Sequence, residues 1–94
     1  MNLNQHSKNV QQKIAHYLDI PKEIILDLPK ITLIGDIQLY IENHRGIIEY
    51  TSEKIRIAIA IGELEIGGEK LVIRNITREE MYLDGHIKSV QFNR

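Results

Sequence analysis

The hydrophobic pattern changes period once along the chain. In residues 7–18, Val10, Ile14, Tyr17 and Leu18 stand at i, i+4, i+7 and i+8, a single apolar stripe at helical spacing. Ser7 fits the N-cap, so the spacing predicts a helix over 7–18. Pro21 suits the first position of a second, short helix capped by Asp19. Pro29 ends that helix, because a proline pushes the residue before it, Leu28, toward extended geometry.

From Lys30 onward the period is two. Ile37, Leu39 and Ile41 alternate with Gln38, Tyr40 and Glu42, and Ile55, Ile57, Ile59 and Ile61 with Lys54, Arg56, Ala58 and Ala60. Leu64 and Ile66, Leu71 and Ile73, Met81 and Leu83, and Val90 and Phe92 repeat the pattern. Each run reads as a half-buried strand with one solvated face. Eighteen of the 94 residues are isoleucine, and β-branched side chains suit a pleated surface. Across Ile57, Ala58, Ile59, Ala60 and Ile61 both faces are apolar, which predicts a central strand covered on both sides.

Turn residues separate the runs: Gly35-Asp36, Asn43-His44-Arg45-Gly46, Ser52-Glu53, Gly62, Gly67-Gly68, Thr77-Arg78-Glu79 and Gly85. Gaps this short fit hairpins rather than the helical crossovers of a parallel sheet. The expected architecture is mainly β: seven or eight short, mostly antiparallel strands in meander order, forming a sandwich, roll or partly closed barrel. A β-solenoid is the alternative, disfavoured by irregular spacing. A helical N-terminal segment, residues 1–29, and a β-domain, residues 30–94, make one domain. The helical stripe needs an apolar surface to cover it, on the sheet or on another subunit.

Composition narrows function more than fold. Twelve Lys+Arg against thirteen Asp+Glu leave a net charge of -1, which gives no electrostatic case for nucleic acid. The absence of cysteine excludes disulfides, thiolate metal sites and thiol nucleophiles. Residues 1–12 are polar and lack the apolar centre of a signal peptide, and no apolar stretch is long enough to span a membrane. The expectation is a cytoplasmic protein, peripheral to a membrane only through a partner.

The strongest local candidate for chemistry is the turn Glu42, Asn43, His44, Arg45 and Gly46. A carboxylate, amide, imidazole and guanidinium in sequence could hold a phosphate or move a proton. The competing reading is a polar hairpin loop, since Asn and Gly favour turns and neighbouring residues face opposite ways. His6, His16, His44 and His86 show no ligand spacing, so no metal is expected. Ser7, Ser52 and Ser89 read as cap, turn and exposed positions, with no nucleophile elbow. Glu63 and Glu65 share a strand face at a gap of about 7 Å, and Glu79 and Glu80 are adjacent. Surface polarity explains both pairs better than acid–base chemistry. Gly67-Gly68 lacks the sequence of a phosphate loop and reads as a hairpin turn. Tyr40, Tyr50 and Tyr82 face outward by parity and suit a protein interface.

Three stretches carry a resemblance: Leu18-Asp19-Ile20-Pro21-Lys22, Asp27-Leu28-Pro29-Lys30-Ile31-Thr32-Leu33-Ile34-Gly35 and Tyr40-Ile41-Glu42-Asn43-His44-Arg45-Gly46. In order and spacing they resemble the YabP/YqfC family of sporulation proteins, nearer the YqfC type. The later half matches in pattern more than in identity. The resemblance implies a role in endospore formation, in the mother cell, with no catalytic residue, cofactor or metal to carry over. It also implies a protein partner, a membrane protein of the YqfD type. The expectation is a non-catalytic scaffold or assembly component, able to self-associate and not inserted in a membrane. The alternative is a small-ligand or nucleic-acid binding module using Asn43, His44 and Arg45.

Overall fold

The computed structural model describes residues 27–94. The expected helix over 7–18 and the short second helix from Pro21 to Leu26 lie outside the described residues. The rest is antiparallel β, in six strands rather than seven or eight: β1 (Lys30–Ile34), β2 (Gln38–Glu42), β3 (Ile47–Tyr50), β4 (Lys54–Ile59), β5 (Gly62–Ile76) and β6 (Glu80–Asn93). They form one sheet in the order β1-β2-β6-β5-β4-β3. Antiparallel neighbours throughout exclude the β-solenoid.

The strand count falls because two expected turns are bulges. Gly67-Gly68 lies inside β5, which runs 15 residues, and Gly85 lies inside β6, which runs 14. The ladder between them shifts register at Gly67/Gly68, at Glu69/Val72 and at Ile73/Asn75. Each extra residue bends the strand and strengthens its twist. At Gly85 the backbone has φ +146, and a Cβ there would sit 2.8 Å from the Lys70 carbonyl oxygen. Only glycine fits that approach. The expected strand through Ile61 is also shorter: Ala60 and Ile61 form the tight turn between β4 and β5.

Meander order fails at one connection. β2 pairs with β6 along its whole length, Gln38 with Asp84 through Glu42 with Glu80, and does not pair with β3. Residues 43–46 therefore cross over rather than turn back. The crossover shows that the sheet is folded on itself. The Asn43 N–H donates to the Glu79 carbonyl at 2.8 Å, and the Arg45 N–H to the Ala58 carbonyl at 2.8 Å. Ala58 pairs with Glu63 at the start of β5, whereas Glu79 lies beyond its far end. Laid flat, fourteen residues of strand would separate those points by about 46 Å. Two residues of chain span only about 7 Å. The long β5–β6 ribbon must bend round at its bulges to bring its ends together.

The fold encloses the apolar face that the alternation marks. Leu39, Ile41, Ile55, Ile57, Leu64, Ile66, Met81 and Leu83 are fully buried, and Ile59, Leu71 and Ile87 nearly so. Ile31, Ile61, Ile73 and Val90 pack around them. The bulges also reset parity, so β6 points Met81, Leu83 and Ile87 inward and then Val90.

Candidate functional site

The five residues of the candidate turn are placed by the crossover. Asn43 takes the left-handed conformation, φ 67, and Gly46 has φ 119, geometries that Asn and Gly tolerate best. These two kinks swing the chain from the end of β2 to the start of β3. The Asn43 amide donates through Nδ2 to the Leu28 carbonyl at 3.0 Å. Glu42 stays on the outer face, 3.9 Å from Lys30. Arg45 is exposed and reaches Asp27 at 3.1 Å.

His44 turns inward and is only 6% exposed. Its Nε2 lies 3.0 Å from the Thr77 carbonyl oxygen and 3.2 Å from that of Glu80. The Gly46 N–H donates to its Nδ1 at 3.1 Å. Two carbonyls can only accept, so Nε2 carries the proton and Nδ1 does not. The imidazole is thus a neutral clamp between the crossover and the β5–β6 turn. Thr77 completes that turn, donating its N–H to the Glu80 carbonyl at 2.8 Å and accepting the Glu80 N–H on Oγ1 at 3.1 Å. The structure does not bring Glu42, His44 and Arg45 together on one ligand-sized point. Their side chains diverge to the outer face, the interior and the rim.

The other chemical candidates are placed on the outer surface. Arg56 holds Glu63 with two contacts of 2.7 Å and reaches Glu49 at 3.3 Å. This bidentate pair, first, holds the Glu63 carboxyl below the usual carboxylate range, with Asn93 assisting. A carboxylate so engaged suits neither a general acid nor a nucleophile. Glu65 receives Asn93 Nδ2 at 3.4 Å. His86 lies 3.4 Å from Asp36 and 3.8 Å from Glu69, at the surface. Among the described residues no group of three His, Cys, Asp or Glu is arranged to hold a metal ion. His6, His16 and Ser7 lie outside those residues.

The tyrosines part company. Tyr40 and Tyr82, paired across β2 and β6, stack with ring centroids 4.4 Å apart and planes at 21°. Burial, then the carboxylates of Glu42 and Glu80, push the Tyr40 hydroxyl well above its ordinary value. Tyr50 instead accepts the Ile73 N–H on its hydroxyl at 3.0 Å, capping β5 where β4 no longer flanks it. No sequence signal joins Tyr50 to Ile73. A shallow apolar groove of about 270 Å³, lined by Leu33, Ile87 and Val90 among others, opens beside the β1–β2 turn. Among the described residues, no helix is long and apolar enough to cross a membrane.

Comparison with known proteins adds the lineage. The family model described as the YabP family matches residues 27–94, the whole of the β-sheet and its crossover. The chain belongs to the YabP family. It is 33% identical over 90 residues to an uncharacterised protein, YqfC of Bacillus subtilis (strain 168), an alignment covering 96% of this chain and 97% of that one. No solved structure matches it. In this YabP-family sheet the Asn-His-Arg-Gly sequence builds the crossover, which accounts for Asn43, His44 and Gly46, while the Arg45 side chain lies exposed beside Asp27.

Proposed function

We propose that this YabP-family chain is a non-catalytic sporulation protein, acting as a scaffold or assembly component in the mother cell during endospore formation. The sporulation setting comes from the family. The assembly reading rests on one observation: the residues richest in chemistry are engaged in holding the fold. His44 has both ring nitrogens bonded to backbone, Asn43 is bonded to Leu28, and Glu63 is held by Arg56. What the surface offers instead is exposed apolar area at Leu33, Ile34, Ile37, Ile48 and Phe92, the material of contacts with other proteins. The proposed partner is a membrane protein of the YqfD type, which would keep this chain in the cytoplasm at a membrane surface.

The test is capture of the tagged protein from sporulating cells in mild detergent, with identification of what accompanies it. One membrane protein in near-equal amount, lost on Leu33→Asp or Phe92→Asp, is the expected result. Tagged protein recovered free of any companion would count against a hetero-assembly. Arg45→Ala addresses the ligand-binding alternative: that reading requires loss of function at unchanged stability.

A further inference from the structure

The sheet protects its edges unequally. An exposed strand edge invites pairing with another chain, and proteins blunt such edges with bulges, charges or covering groups. β3 has a register shift between Ile47 and Glu49, and Glu49 there is paired to Arg56 and Lys54. The free side of β5 beyond Leu71 is bulged at Ile73/Asn75 and capped by the Tyr50 hydroxyl. The free side of β6 beyond Ile87 begins on the register shift that leaves Lys88 unpaired. β1 has no bulge, and its one charge, Lys30, stands at its first position. It pairs with β2 without a shift over all five residues, and no described strand lies on its other side. Leu33 is 49% exposed, Ile34 55%, and Ile37 in the adjoining turn 62%.

The β1 sequence Lys-Ile-Thr-Leu-Ile also complements itself. In an antiparallel pair centred on Thr32, Thr32 faces Thr32 of the second copy, Ile31 faces Leu33, and Lys30 faces Ile34. Both apolar pairs and the Thr pair are favourable across strands, whereas like charges opposite one another are not. The one charge, Lys30, is matched within its own chain by Glu42. No described feature selects a foreign strand of particular chemistry over this one.

We propose that β1 is a homodimerisation edge: two copies pair antiparallel about a two-fold axis at Thr32, joining their sheets into one of twelve strands. This deepens the assembly reading by supplying a mode of self-association. It is tested on purified protein alone, so its failure is distinct from failure to capture a membrane partner. A contact of one short strand is small against a standard interface of about 800 Å² per partner, so the dimer is concentration-dependent.

Sedimentation equilibrium of the full chain over roughly 10–500 µM, the range suited to small interfaces, reads the mass. The expected result is a rise from 10.9 kDa toward twice that value. Thr32→Lys and Thr32→Glu each place like charges on the axis and should remain monomeric, while their equimolar mixture should recover the double mass. Because the chain has no cysteine, Thr32→Cys adds a second readout should a charged variant misfold. Directly opposed strand residues have Cα atoms about 4.5–5.5 Å apart, within disulfide reach, so mild oxidation should link the dimer, while Tyr50→Cys on β3 should stay unlinked. A wild-type chain monomeric throughout would overturn the proposal, as would association indifferent to Thr32→Lys or equal cross-linking at Tyr50→Cys.

Discussion

The His44 imidazole is bonded to the Thr77 carbonyl at 3.0 Å, across 33 positions of sequence. It ties the one departure from meander order among the described strands to the turn between the two long strands. His44→Ala leaves the Thr77 carbonyl and the Gly46 N–H short of a partner, while the Glu80 carbonyl keeps the Thr77 N–H. Unsatisfied buried groups cost about 1–3 kcal/mol each in mutational series, with water entering the vacated space offsetting part of it. A loss of about 2–4 kcal/mol is expected by urea denaturation. A change below about 0.5 kcal/mol, the scatter of ordinary surface substitutions, would show that the clamp does not hold the crossover.

The bulge glycine gives a graded comparison. Gly85→Ala forces a side chain against the Lys70 carbonyl and Leu71, at φ +146, whereas at Gly35, φ +53, a Cβ meets nothing within 4 Å. Gly35→Ala is expected to cost about 1 kcal/mol, the penalty of the left-handed region alone. Gly85→Ala should cost at least twice that, about 2–4 kcal/mol, from strain and clash together. Thermal unfolding of the two variants side by side reads the order, and equal shifts would sink the argument from close approach.

Acid should weaken the outer face through Glu63. Its carboxyl is held below its ordinary value of 4.5, chiefly by Arg56. A depressed carboxyl contributes stability that is present above the unfolded pKa and disappears as pH falls through the folded one. Glu69, held low mainly by Lys88, acts in the same direction. Denaturation midpoints should therefore fall as pH drops below about 4.5, and Glu63→Gln should flatten that slope. The solvent-facing setting makes the effect salt-sensitive. An identical slope in wild type and Glu63→Gln would remove the ion pair from the account.

Core and rim isoleucines of neighbouring strands should separate cleanly. Ile57 on β4 is fully buried, and Ile48 on β3 is 48% exposed. Ile57→Ala should cost about 2–5 kcal/mol, the transfer and cavity terms of a large-to-small core change. Ile48→Ala should fall within about 0.5 kcal/mol. Comparable losses would mean that the face reading of β3 or β4 is mistaken.

The alternation from Lys30 onward made most of the inner face legible: Leu39, Ile41, Ile55, Ile57, Leu64, Ile66, Met81 and Leu83 belong to it and are buried, whereas Ile37 and Phe92, which it also marks, are exposed. The turns at Gly35-Asp36, Ser52-Glu53 and Thr77-Arg78-Glu79 were equally readable from turn chemistry. Gly67-Gly68 and Gly85 were not, because a glycine that ends a strand and one that bends it look alike in sequence. The crossover escaped for a different reason. Local pattern says which face a strand buries but not which neighbour it joins, and β2 joins a strand that begins 38 residues after it ends (80 − 42). The inward turn of His44 followed from that pairing and from the kinks at Asn43 and Gly46. The divergence of Glu42, His44 and Arg45 was foreshadowed by the rule that successive residues face opposite ways.

Because Gln38 meets Asp84 across 46 positions, the order in which a ribosome delivers the chain differs from the order in which the sheet is assembled. β1 and β2 emerge early as a hairpin whose apolar side, Leu39 and Ile41, has no neighbouring strand to close against until β6 has been made. Closing so long a loop is slow compared with local hairpin formation. The β3–β6 meander can form by neighbour-to-neighbour steps, but the crossover locks only when residues 79–84 arrive. Completion of the fold thus waits on β6, and among the described strands the early hairpin is the one left longest without its neighbour.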